Sequence, residues 1–135
     1  MGSTRKRDNI KTEIHEFDLY IYPRKIWVCI GGTIEGIKHH VYTLERTELD
    51  FSQVAPFDAC TIACRSKASD KIGELIFIPD KRAITFGTVA HEAIHAALDV
   101  CADIDLRIDA MNQEPFAYLV GYIADCVEKV KNNRF

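Results

Sequence analysis

The first third of the chain carries two apolar patterns of strand length. In residues 16–22 apolar and polar positions alternate, with Phe17, Leu19 and Ile21 on one side, which predicts a half-buried strand. Residues 25–30 read Lys-Ile-Trp-Val-Cys-Ile and predict a second strand, because the glycine pair that follows is a turn signal. The pattern therefore places a small sheet at the start of the fold.

Three further segments lie between these strands and residue 80. Residues 33–40 fit either a short helix or the returning strand of a hairpin, and residues 59–65 favour a strand after a polar loop. Residues 74–79 (Glu-Leu-Ile-Phe-Ile-Pro) are nearly all apolar and give the clearest strand. Two interpretations of Glu74–Pro79 stay open: an ordinary core strand, or an edge strand that borders a cleft and pairs with an extended peptide.

Helical periodicity takes over in the last third of the chain. The first helix is expected to begin at Thr85 or Thr88, either of which can cap it, and to end near Cys101. The second is expected from about Gln113 to Lys131, with an asparagine N-cap at 112 and a proline tolerated in its first turn. The first helix has a wide apolar stripe: Val89, Ala90, Ala93, Ile94, Ala97, Leu98 and Cys101. These elements predict an α+β fold, in which a small antiparallel or mixed sheet packs on both helices.

The first helix also carries the pattern His91-Glu92-Ala93-Ile94-His95. The two histidines are four residues apart, so they share one helical face and both imidazoles can reach one ion. Glu92 lies beside the first histidine and can take a proton from a water on that ion as general base. The motif therefore predicts a Zn²⁺ site with hydrolytic chemistry.

A catalytic zinc ion usually takes three protein ligands and leaves a fourth position to water. Glu114 is the predicted third ligand, because a carboxylate on the first turn of the adjoining helix can face the histidine pair. Asp99 lies two turns from His91, too far along the helix to close a compact tetrahedron. Cys101 would need a helix-breaking glycine before it in order to swing back. These two residues and His39 are the alternatives if Glu114 does not bind.

Two more side chains have candidate roles at this centre. Tyr118 follows Glu114 by four residues and so lies on the same helical face, where its hydroxyl is a candidate donor to a developing oxyanion. A tyrosine of the core would show the same spacing. Asp99 either accepts the second N–H of a ligating histidine or lies on the helix surface.

The motif and the segment after it resemble those of the gluzincin metallopeptidases. In thermolysin-like and aminopeptidase N-like enzymes, His-Glu-x-x-His is followed by a glutamate ligand, as Glu114 here follows His95 after eighteen residues. The aminopeptidase segment Asn-Glu-Gly-Phe-Ala is similar to residues 113–117, with glutamine in place of asparagine and proline in place of glycine. The resemblance covers about residues 85–125.

In its size and in the run Glu-Pro-Phe-Ala-Tyr-Leu, the chain is more similar to small metallopeptidase-like proteins encoded by tailed phages and prophages. This resemblance implies a minimal zincin-like fold. It also implies Zn²⁺ as the cofactor and a site of His91, His95 and Glu114 on the metal with Glu92 as base.

Composition and charge limit the partners and the location expected for this protein. Twenty acidic and seventeen basic residues in 135 give a net charge of −3, so no nucleic-acid partner is expected. No run of eighteen apolar residues exists, so no membrane-spanning segment is expected. With no secretory pattern, a cytoplasmic protein is expected, whose five cysteines are reduced and buried. Residues 1–12 are expected to form a poorly ordered tail and residues 13–135 a single domain.

The sequence thus predicts a small cytoplasmic zinc-dependent hydrolase, foremost a peptidase acting on a peptide or protein. The alternative is a binding or regulatory module of zincin-like fold, which keeps a structural or vestigial metal site without activity.

Overall fold

The computed structural model describes residues 11–52 and 54–135. Its strands are β1 (His15–Asp18), β2 (Lys25–Ile30), β3 (Val41–Tyr42), β4 (Cys60–Ser66) and β5 (Ile72–Ile78). Its helices are α1 (Ile34–His40), α2 (Phe86–Asp103) and α3 (Glu114–Lys131), with a 3₁₀ turn at Lys81–Ala83 between β5 and α2. The described part of the chain is therefore α+β, with one mixed sheet, as predicted.

The five strands follow the order β1-β2-β5-β4-β3. Strand β5 is parallel to β2 on one side and antiparallel to β4 on the other, and every other pair is antiparallel. Because β5 is hydrogen-bonded on both sides, its backbone has no free edge to offer a peptide. The edge-strand interpretation of Glu74–Pro79 is therefore wrong, and the core-strand interpretation is confirmed.

Alternating side chains of the central strands build a core on each face of the sheet. One face packs against α2 and α3 through Ile26, Val28, Ile76 and Ile78. The opposite face packs against α1 and the loop after β3 through Trp27, Cys29, Leu75 and Phe77. Since both faces are covered, β2 and β5 are apolar over almost their whole length, which explains why their sequences run continuously apolar.

Local hydrogen bonds decide two predictions that the sequence left open. The segment 33–40 is a helix, because the Thr33 hydroxyl accepts a 3.0 Å hydrogen bond from the Gly36 N–H and caps α1. Helix α2 begins after Thr85, whose hydroxyl accepts from the Thr88 N–H at 3.1 Å, so Thr85 is the cap. Helix α2 continues two residues past the predicted end at Cys101.

Two further predicted boundaries differ from the structure. The alternation of residues 16–22 ends as a strand at Asp18, because Tyr20 has a φ of 58° and the chain turns there, leaving Ile21 82% exposed. The predicted Asn112 cap of α3 is replaced by Gln113, which caps with helical dihedral angles and without a side-chain hydrogen bond. The turn next to a strand or helix thus sets its boundary more strongly than apolar alternation within a strand or a polar residue before a helix.

Of the predicted N-terminal tail, residues 11 and 12 are described. The Thr12 hydroxyl accepts a 3.0 Å hydrogen bond from the Thr33 N–H, so Thr12 belongs to the fold. A Cβ at Gly36 would collide with the Thr12 side chain, so this glycine lets the two segments approach closely. The rest of the predicted tail, residues 1–10, lies outside the described residues.

All five cysteines are thiols without a disulfide. Cys60 is partly buried, and the others are buried: Cys29, Cys64, Cys101 and Cys126. They act as small apolar side chains of the two cores, as predicted. Within the described residues, no helix has the length and apolar character needed to cross a bilayer.

Candidate metal centre

Helix α2 presents small side chains to the sheet and keeps its larger ones outside. Its buried face consists of Val89, Glu92, Ala93, Ala96, Ala97, Val100 and Cys101. Ile94 and Leu98, which were predicted in the apolar stripe, are 42% and 41% exposed. The alanines allow α2 to approach the sheet and α3 closely, which rotates the predicted stripe and brings Glu92 inward. His91 and His95 lie on the outward face between exposed apolar side chains.

The two histidines of the motif converge on one point. The Nε2 atoms of His91 and His95 are 3.1 Å apart, and their rings meet edge to face with centroids 4.7 Å apart. Two imidazole nitrogens bound to one tetrahedral zinc ion at 2.0–2.1 Å would be separated by about 3.3 Å. The pair therefore fits two positions of a zinc site, and either ring nitrogen can donate to the other when no ion is bound.

Glu92 points away from solvent toward the sheet and is 6% exposed. Its Oε2 accepts a 2.6 Å hydrogen bond from the Thr61 hydroxyl of β4, which also lies 3.2 Å from the Glu92 carbonyl oxygen. Sequence reasoning missed Thr61, because it lies thirty-one residues before Glu92 on a strand and no motif joins the two. The register could have indicated it only after β4 was known to lie beneath α2.

The third ligand stays a prediction. Glu114 is the exposed first residue of α3, and its carboxylate makes no hydrogen bond or ion pair with the residues at 11–52 and 54–135. In that same part of the chain, no His, Cys, Asp or Glu side chain joins the histidine pair as a third member of a metal-binding group. Of the alternatives, Cys101 is 1% exposed on the buried face of α2, whereas His39 is exposed at the end of α1.

Tyr118 is on the surface, so the interpretation of this residue as a core tyrosine is wrong. Its side chain is 75% exposed, on the first turns of α3. It borders an apolar groove of 340 Å³, whose lining includes Tyr20, Ile21, Pro115 and Tyr122. The hydroxyl of Tyr118 is thus accessible, and its predicted role as an oxyanion donor stays a prediction.

A second buried carboxylate lies farther along α2, under its C-terminal half. Glu74 of β5 is fully buried, and no hydrogen-bond donor in the described part of the chain reaches either of its carboxyl oxygens. Burial, the charge of Asp99 against which it lies, and the charge of Asp103 raise the pKa of Glu74 to about 9. Arg24 pairs with Asp103 at 3.2 Å and offsets part of this effect.

Asp99 therefore has a neighbour that the sequence did not indicate. The carboxylate of Asp99 is close enough to the Glu74 carboxyl to raise the pKa of Glu74 by its charge and by hydrogen bonding to the protonated form. Asp99 is exposed on α2, which confirms the second of its two predicted roles, a position on the helix surface. No hydrogen bond joins Asp99 to His95 among the described residues.

Strand β4, which lies next to α2, is paired on its outer side over only part of its length. Strand β3 pairs with β4 at Arg65 and Ser66 alone. At Cys60–Cys64 the described residues provide backbone pairing from β5 and from no second strand. The segment with an open edge includes Thr61, and so it lies beside Glu92.

Comparisons of this chain with models of known protein families, with characterised proteins and with solved structures give no match.

Proposed function

We propose that this protein is a zinc-dependent hydrolase, and that its reaction is the cleavage of peptide bonds. The observation that carries the proposal is the 3.1 Å separation of the His91 and His95 Nε2 atoms. That separation suits two ligands of one tetrahedral zinc ion. The proposed ligand set is completed by Glu114, whose exposed carboxylate has no competing partner in the described part of the chain.

The side chains of this site would divide the work of hydrolysis. Bound Zn²⁺ supplies a Lewis acid that polarises a carbonyl group and lowers the pKa of a water to about 7. Glu92 takes a proton from the attacking water and returns it to the leaving amine. Its near-complete burial limits competition from bulk water for the carboxylate. Tyr118 supplies an accessible hydroxyl to the oxygen on which negative charge develops.

The proposed substrate is a peptide in extended conformation, and β4 is the strand that would bind it. Unlike β5, β4 has an open edge over Cys60–Cys64 among the described residues. A peptide that pairs with this edge would form main-chain hydrogen bonds close to Glu92. In zincin-type folds an edge strand that borders the cleft pairs with the substrate in this way, so the peptide-binding role predicted for Glu74–Pro79 is proposed instead for β4.

The alternative is a zincin-like module without activity, and one observation favours it. The hydrogen bonds from Thr61 to the carboxylate and the carbonyl of Glu92 join α2 to β4. A glutamate held in this way can serve as a structural link. In that case the metal would stabilise the domain, and no peptide would be cleaved.

Zinc content and peptide cleavage, measured on the purified full chain, separate the two functions. We expect about one zinc ion per chain and cleavage of a broad peptide library, detected by mass spectrometry. Glu92→Gln should keep the zinc and lose the cleavage, whereas the matched control Glu45→Gln, at an exposed position, should keep both.

Each possible result has a distinct meaning. Zinc binding without cleavage of any library peptide would favour the inactive module. A protein that binds no divalent metal after incubation with zinc would contradict both functions.

A further inference from the structure

We infer that Thr61 is a positioning residue, whose hydroxyl holds the Glu92 carboxylate in the orientation in which it accepts a proton from the attacking water. The inference rests on the proposed function, because it assigns a task to the base of that reaction. Thr61 itself is not proposed to touch the metal or the substrate. It acts through Glu92.

The hydrogen bond between the two side chains is short and one-sided. The Thr61 hydroxyl donates to Oε2 of Glu92 at 2.6 Å. Oε1 of the same carboxylate makes no hydrogen bond within the described residues, and it is not fully buried. One oxygen is thus fixed by the protein, and the other is left for a water.

Thr61 is a rigid anchor for that oxygen. It lies within β4, where its backbone is paired with Ile76 of the central strand β5. A β-branched side chain has few χ1 rotamers, so a threonine on a strand holds its hydroxyl in a narrow range of positions. Glutamate has three rotatable bonds and would otherwise populate several orientations at this site.

The partner of the Glu92 carboxylate is a neutral hydroxyl, which suits a general base. An arginine or lysine partner would compete for the carboxylate oxygens and compensate its charge. In the described part of the chain, no ion pair involves Glu92. The threonine hydroxyl is neutral, so it fixes the orientation of the carboxylate and leaves the other oxygen able to accept a proton.

The activity test compares three threonine variants in zinc-loaded protein, with fluorescein-labelled casein as the probe. Thr61→Val keeps the shape and removes the hydroxyl, and we expect it to lower kcat about 10- to 100-fold with KM and zinc affinity unchanged. Thr61→Ser restores the hydroxyl and should recover most of that loss. Thr47→Val, which removes a hydroxyl bonded to Thr43 instead, is the matched control. Combined with Glu92→Gln, Thr61→Val should cause no further loss.

A second readout uses the metal-free protein and does not depend on activity. Thr61→Val should lower the urea midpoint of unfolding in the parent chain. The same change should have little effect beside Glu92→Met, which has already removed the acceptor. An equal decrease in the urea midpoint in both backgrounds would overturn the inferred hydrogen bond.

The catalytic outcomes separate this inference from the proposed function. If the parent cleaves casein and Thr61→Val leaves kcat unchanged, the positioning role is overturned and the proposed function stands. A Thr61→Ser variant as slow as Thr61→Val also overturns the positioning role, because the loss of rate would then come from altered packing. A parent protein that binds zinc and cleaves neither casein nor library peptides overturns both.

Discussion

A buried carboxylate lies at each half of helix α2, and the two carboxylates are held in opposite ways. In the N-terminal half, Glu92 is 6% exposed and accepts a hydrogen bond from Thr61 on β4. At the C-terminal half, Glu74 is fully buried, has no hydrogen-bond donor in the described part of the chain, and lies against the carboxylate of Asp99. The first belongs to the helix and the second to the sheet.

This difference shows that burial alone does not tell what a carboxylate does. A buried carboxyl that faces like charge without a donor keeps its proton, and the pKa of Glu74 is accordingly raised to about 9. In that protonated form it adds no charge to the core between β5 and α2. A buried carboxylate with a neutral donor on one oxygen has the other oxygen available for chemistry. The contrast is consistent with the proposed role of Glu92 as the base, whereas Glu74 is a protonated carboxyl of the core.

The strongest test of this contrast is the same substitution at both positions. Glu92→Gln removes the proposed base and should lower kcat by about 100- to 10,000-fold, the usual contribution of general acid–base catalysis. Glu74→Gln should leave cleavage close to that of the parent, because Glu74 has no task in the reaction. Initial rates on labelled casein at saturating zinc measure both. Comparable losses in the two variants would break the contrast.

The next effect concerns the third ligand of the N-terminal site. Glu114→Ala should weaken zinc binding by more than about 100-fold, which exceeds the 10- to 100-fold loss typical of a residue that only orients a ligand. Competition with a chromophoric chelator measures the zinc affinity, and circular dichroism checks that the fold is retained. Unchanged affinity would return the assignment to Asp99, Cys101 or His39.

At the C-terminal half, the expected effect is a pH-dependent change in stability. The folded chain holds the Glu74 proton up to about pH 9, whereas the ordinary value of 4.5 applies once the chain unfolds. The folded state binds more protons in this window, so the contribution of Glu74 to stability is fully present below pH 4.5 and is lost as the pH rises toward 9. Glu74→Gln has no proton to lose, and at pH 8 it should be more stable than the parent by several kcal/mol, because each pH unit above 4.5 destabilises the parent by about 1.4 kcal/mol.

Urea unfolding of the parent and of Glu74→Gln between pH 4.5 and 9 measures this difference. It should be near zero at the acidic end and grow with pH. Glu45→Gln, at an exposed carboxylate, should not change the difference from the parent at any pH in the range. A Glu74→Gln variant whose stability runs parallel to that of the parent would show that Glu74 is ionised in the fold.

The smallest effect is expected at Tyr118. If its exposed hydroxyl donates to the developing oxyanion, Tyr118→Phe should lower kcat about tenfold and leave zinc affinity and stability unchanged. Tyr20→Phe, across the same groove, is the matched control. A rate equal to that of the parent would remove Tyr118 from the site without affecting the assignment of Glu92.

Short-range signals made much of this fold predictable. The bounds of β2 were predicted to the residue, because its apolar run ends at two glycines with φ of 82° and 85°. The start of α2 was predicted to one of two threonines, and Thr85 is the one whose hydroxyl caps the helix. The histidine pair was predicted to share a face because helical periodicity requires it, and the two nitrogens do converge.

Long-range packing was not predictable in the same way. The rotation of α2 depends on how closely its alanines approach the sheet, so Ile94 and Leu98 were expected inside and lie outside. Whether Glu74 stands in a central or an edge strand depends on where β2 and β4 pair, and a continuous apolar run is compatible with both. The short strand β3 was missed, because two residues are too few to show a pattern.

The sequence by itself determined a helix with two histidines and a glutamate in metal-binding spacing, because that spacing is a property of the helix alone. Only the tertiary structure decided that Glu92 turns inward to Thr61. It also decided that, among residues 11–52 and 54–135, Glu74 is buried with no donor and β4 rather than β5 has an open edge. These features depend on contacts between residues far apart in the chain. Such contacts are set by the packing of the helices on the sheet, which no local pattern specifies.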